Sequence, residues 1–120
     1  IRLSLVGSEM CIRDRRIKLA SFLVKGTTKE KALFIFDEPT TGLHFHDIQK
    51  LLKSFNALLQ KGHSVIVIEH NMDLVKCADH VIDLGLEGGE SGGRLIAAGT
   101  PEEVAQNKES YTAPFLKEKL

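Results

Sequence analysis

Apolar side chains recur along this chain with two different periods, and the switching between them predicts its elements. From residue 16 a helical stripe begins: Ile17, Ala20, Leu23 and Val24 share one face, and Gly26 is placed to end it. A charged turn at 29–31 leads into 32–36 (ALFIF), an unbroken apolar run of the length expected for a buried parallel strand. Asp37-Glu38-Pro39 ends that run, because proline cannot continue a central ladder. The cleanest helical pattern covers 46–60, where Ile48, Leu51, Leu52, Phe55, Leu58 and Leu59 keep the i, i+3, i+4, i+7 spacing. Lys61-Gly62 stops it. Residues 64–68 (SVIVI) read as a second buried, β-branched strand, with Glu69-His70-Asn71 leaving its C-terminal end. A short helix is predicted over 72–78, then strands at 80–84 and 94–98 joined by a glycine-rich turn at 87–93. Thr100-Pro101-Glu102-Glu103 is a capping box with proline at the first helical position, opening a helix to about Asn107. A last short helix falls within 111–120.

Helices alternating with strands predict an α/β layered sheet with an appended strand pair. In such sheets ligands sit beyond the C-terminal ends of the strands. Both polar outcrops, Asp37-Glu38 and Glu69-His70, fall there, and this is the first functional clue. Residues 1–14 (IRLSLVGSEMCIRD) show neither a clean alternation nor a stripe that continues past residue 14. They read either as a short native strand and loop or as a cloning or sequencing linker scar. A secretory signal is excluded by the short apolar stretch and by Glu9, Arg13 and Asp14.

Composition narrows the class without naming a function. With 120 residues the chain is one domain or a piece of a larger one, and 42% apolar with 27% charged residues is ordinary for a folded globular chain. Lys plus Arg and Asp plus Glu each total 16, so the formal charge is zero and no basic footprint for nucleic acid stands out. No apolar run approaches the ~18 residues of a membrane span. Two cysteines, Cys11 and Cys77, cannot build a disulfide framework or a four-cysteine zinc site, which fits a reducing, cytoplasmic setting.

The chemistry is concentrated where the first strand ends. Adjacent carboxylates leaving an apolar core are costly unless a cation or a reacting water uses them. A solvated strand-to-turn junction is the competing reading for any isolated Asp-Glu pair. Here the pair continues into Pro39-Thr40-Thr41-Gly42-Leu43-His44, then the amphipathic helix, then the strand ending in Glu69-His70.

Those linked segments resemble known ones. LFIFDEPTTGLH is similar to the Walker B strand and D-loop of ABC-type ATPases, and SVIVIEH to their switch-histidine strand. RIKLASFL, the Gly42-Leu43-His44 ending and the stretch 68–105 narrow the resemblance to the UvrA family, DNA-damage-recognising ATPases of bacterial nucleotide excision repair. The resemblance covers residues 16–120 and implies the C-terminal end of the second ATPase module of a much longer protein. It implies a partial P-loop NTPase sheet of the ABC type. By the same resemblance Asp37 is the Walker B aspartate acting on Mg²⁺ through water, Glu38 the catalytic glutamate, and His70 the switch histidine directed to the γ-phosphate or the attacking water. Thr40, Thr41, Gly42, Leu43 and His44 match the D-loop that couples two ATP sites. The implied cofactors are ATP and Mg²⁺. The implied partners of the parent are damaged duplex DNA, the helicase subunit of the excinuclease and a second copy of itself.

Two departures separate the chain from that family's pattern. The glycine-rich signature should stand immediately before Arg16, where this chain has EMCIRDR, and that break favours the linker-scar reading of residues 1–15. No G-x-x-x-x-G-K-[ST] phosphate loop occurs in the 120 residues, so they carry half a site. The alternative is therefore a catalytically inert fragment, or part of another ABC-type ATPase. His44-x-His46 and Cys77-x-x-His80 could be drawn together as a zinc site, but nothing in the spacing makes them meet and Cys77 is expected on a core-facing helix, so no zinc is expected.

Overall fold

The structure is a computed structural model and describes residues 3–5, 31–85 and 92–120. The predicted helix after residue 16 and most of the turn at 87–93 lie outside the described residues. Two compact units divide the chain, Ile1–Glu69 and His70–Leu120.

The first unit is built on three parallel strands in the order β1 (Leu3–Leu5), β2 (Leu33–Asp37) and β3 (Ser64–Ile68), with α1 (Phe45–Gln60) between the last two. β2 is the central strand, which is why its apolar run is unbroken. Phe34, Phe36, Val65 and Leu51 gather around Leu58, which is fully buried, and the Phe36 and Phe55 rings lie 4.9 Å apart. The amphipathic stripe of α1 thus covers one face of the β2–β3 pair. A helix followed by a return strand is the connection that parallel neighbours require. Gly62, at φ 82°, ends α1 in the left-handed region, and the His63 imidazole accepts from the Ala32 N–H at 3.2 Å where β2 begins.

Four features differ from the sequence-based expectations. Leu3–Leu5, inside the segment read as a linker scar, pairs with β2 and makes the sheet three-stranded instead of two. Such pairing uses backbone groups that any short apolar run carries, so it bears on the sheet and not on the segment's origin. Second, β3 is not buried on both faces. Its residues alternate, with Val65 and Val67 turned toward the α1 side while Ile66 and Ile68 stay 49% and 55% exposed on the other. Composition alone could not reveal which face would find a cover. Third, the helix predicted over 72–78 is only Met72–Val75, so Cys77 lies beyond it and is exposed, with its thiol toward the Asp73 carbonyl at 3.5 Å. Fourth, the helix that Thr100 caps ends at Val104 instead of near Asn107, whose side-chain amide turns back to donate to the Ile96 carbonyl at 3.3 Å.

The second unit holds α2 (Met72–Val75), an antiparallel pair β4 (Val81–Leu84) and β5 (Leu95–Gly99), and two short helices, α3 (Pro101–Val104) and α4 (Ala113–Lys117). Val104 and Leu116 are fully buried against Ala97, with Met72, Val75 and Val81 around them. The capping box is formed as predicted: Thr100 Oγ1 accepts from the Glu103 N–H at 3.3 Å and Glu103 Oε2 from the Thr100 N–H at 2.8 Å. The Asp83 carboxylate receives the Ser110 and Thr112 hydroxyls at 2.5 and 2.9 Å, and Ser110 Oγ in turn accepts the Ala113 N–H at the start of α4. Among the described residues no helix is long and apolar enough to cross a membrane.

Candidate functional site

β2 and β3 run in register, Asp37 opposite Ile68, so both strands end at the same edge of the sheet. One rung further, the Glu38 N–H donates to the Ile68 carbonyl at 2.9 Å. Glu38 has φ 43°, the one described non-glycine residue in the left-handed region, a conformation that costs about 1–2 kcal/mol. Both Asp37 and Glu38 are exposed.

The loop beyond Glu38 is two successive turns. The Thr41 N–H reaches the Glu38 carbonyl at 3.2 Å and the Leu43 N–H reaches the Thr40 carbonyl at 2.9 Å. Pro39 occupies the second position of the first turn, where its fixed φ fits. Gly42, at φ 71°, occupies the third position of the next, where a positive φ is required. Thr40 is buried, and its N–H and hydroxyl both donate to Oε1 of Glu69, at 2.7 and 2.5 Å. Glu69 continues the alternation of Val65 and Val67 toward the α1 side, where a carboxylate needs donors.

His44 caps α1 with an extended backbone (φ −81°, ψ 162°), and its carbonyl accepts from the Asp47 and Ile48 N–H groups. Its ring is exposed and makes no cap bond. Asp47 in the first turn suits the positive end of the helix dipole. Asp37, Glu38, Thr40, Thr41, Gly42, Leu43 and His44 therefore lie on one continuous segment from the end of β2 to the start of α1, tied to the tip of β3. His70 follows Glu69 in the chain, is exposed and opens the second unit.

The carboxylates at the tip of β2 are hard oxygen donors at an accessible strand end, a set that fits Mg²⁺, which takes one or two carboxylates and completes its shell with water and phosphate. Among the described residues no group of three or more His, Cys, Asp or Glu side chains stands ready to hold a metal by itself. In the sequence Glu69 is no more than one member of a polar outcrop. Its pairing with Thr40 depends on strand register, which the residue pattern does not carry.

No protein-family model matches the chain. Over 103 residues, 86% of the chain, it is 58% identical to the UvrABC system protein A of Staphylococcus epidermidis. Over 106 residues, 88% of the chain, it is 59% identical to the UvrABC system protein A of Streptococcus pyogenes. The matched part is 11% of the length of either relative, so the chain spans only a small part of the proteins it resembles. The crystal structure of UvrA2 from Deinococcus radiodurans superposes with a TM-score of 0.81 at 43% identity, covering 91% of this chain and 13% of that one.

Proposed function

Since the chain belongs to the UvrA family, as a segment of a UvrA-type protein, we propose that it contributes the acidic and imidazole half of an ATP-hydrolysing site to that longer protein. On this reading β2, α1 and β3 are part of an ABC-type nucleotide-binding sheet, at the C-terminal end of the second module, and residues 1–15, β1 among them, are foreign to it. The phosphate loop and the glycine-rich signature come from elsewhere in the full-length protein. Asp37 would hold Mg²⁺, which when bound would supply positive charge against the phosphates. Glu38 accepts a proton from the attacking water. The His70 imidazole donates toward the γ-phosphate or that water. Thr40, Thr41, Gly42, Leu43 and His44 form the loop that passes the state of one site to another. The parent would act in the cytoplasm on damaged duplex DNA, together with a helicase subunit and a second copy of itself.

The observation that supports this most is the in-register ending of β2 and β3, with the acidic residues leaving β2 as the Glu69-His70 run leaves β3. The positive φ of Glu38 adds to it, because strained backbone persists where function uses it. The test is Glu38→Gln in the full-length protein. ATP binding should survive while hydrolysis slows by at least ~10²-fold, the low end for loss of a general base. Hydrolysis at a near-normal rate would reject Glu38 as the base.

A further inference from the structure

We propose that Glu69 is a positioning residue for hydrolysis, clamping the Glu38–His44 loop to the tip of β3 through its two bonds to Thr40. The proposal rests on the ATPase reading above and deepens it. Glu38 is held at φ 43° by its N–H on Ile68 and by its carbonyl on the Thr41 N–H. Two residues on, Thr40 is buried and delivers both of its donors to one oxygen of Glu69. Hydrogen bonds to an ionised acceptor are short and strong, and 2.5 and 2.7 Å are such lengths. The strand tip therefore grips the loop on both sides of Pro39, at Glu38 and at Thr40. A strained residue stays strained only while its surroundings over-determine it. Releasing Thr40 would let Glu38 relax toward negative φ and would re-aim its carboxylate, and small misplacements of a reacting group cost rate more than affinity.

Glu69 touches no reacting atom in this role, so its signature is a split between turnover and binding. In the full-length protein, Glu69→Ala should lower kcat on the order of 10–10²-fold and leave nucleotide affinity within about 3-fold. Glu69→Gln keeps an oxygen acceptor and should recover most of the loss toward the parent's rate. Thr40→Val removes only the hydroxyl and should fall between. The Glu69→Ala/Thr40→Val double variant should be no worse than Glu69→Ala alone, since Glu69→Ala already removes the bond that Thr40→Val removes. Amide hydrogen exchange without nucleotide gives an independent readout: the Thr40 N–H should exchange at least ~10-fold faster in Glu69→Ala while Phe34 and Phe36 keep their protection. Wild-type kcat in Glu69→Ala, equal loss in the Ala and Gln variants, or unchanged Thr40 exchange would each overturn the clamp. Absence of Glu38-dependent hydrolysis in the unmutated full-length protein would instead sink the ATPase reading, and the catalytic half of this proposal with it.

Discussion

At the scale of single residues, the proposed chemistry rests on the segment from Asp37 to His44. Five of its eight residues are polar or charged, yet the backbone uses most of the segment for turns and caps: Pro39 and Gly42 at turn positions, Thr40 on Glu69, His44 at a helix cap. Glu38 alone among its described non-glycine residues is strained, and a strained carboxylate at a strand tip is a candidate for chemistry. His70 carries the other expected role. His70→Ala in the full-length protein should impair ATP hydrolysis, and turnover equal to the parent's in a steady-state assay would dismiss the switch role. These residues are legible in the sequence because their types and order are unusual together. The Thr40–Glu69 bonds are not, because they depend on which residue of β3 stands beside which residue of β2. Cys77 shows the opposite failure: helical spacing places it in a core, but the helix stops two residues earlier and leaves it exposed.

At the scale of elements, α1 and β2 form within one residue of their predicted bounds because their apolar patterns are long and consistent with one period each. β3 has the predicted bounds but not the predicted burial, since its composition suits two covered faces and α1 covers one. Leu58 is the clearest anchor of that layer, with no exposure, so Leu58→Ala should destabilise the first unit by about 2–5 kcal/mol in denaturant unfolding. A loss under ~1 kcal/mol would mean that α1 packs elsewhere. In the second unit the junction of β5 with α3 is tight. Gly99 has φ 156°, and an added Cβ would collide with Glu103 Oε2, the capping carboxylate. Gly99→Ala should therefore cost more than Thr100→Ala, which loses a cap worth roughly 1 kcal/mol. Thermal unfolding of the two variants, measured side by side, checks that order.

At the scale of the whole molecule, apolar side chains stand open on both units: Ile66 and Ile68 on β3, and Ile82, Leu84 and Leu95 on the strand pair. Contiguous exposed apolar surface marks a place for another part of a protein. That is what a chain spanning 11% of its relatives' length would carry. The isolated 120 residues should show no Mg²⁺-dependent ATP turnover, and they should bind an apolar dye more strongly than the full-length protein does. Turnover by the isolated chain that disappears with Glu38→Gln would mean that it holds a phosphate site of its own. The proposed site is a spatial arrangement, and a crystal structure of the full-length Glu38→Gln protein with Mg²⁺ and ATP examines it without intermediaries. The γ-phosphate, or the water in line with it, should lie within hydrogen-bond reach (about 3 Å) of the residue-38 side chain and of the His70 imidazole. Nucleotide bound with its terminal phosphate remote from both would contradict the assignment.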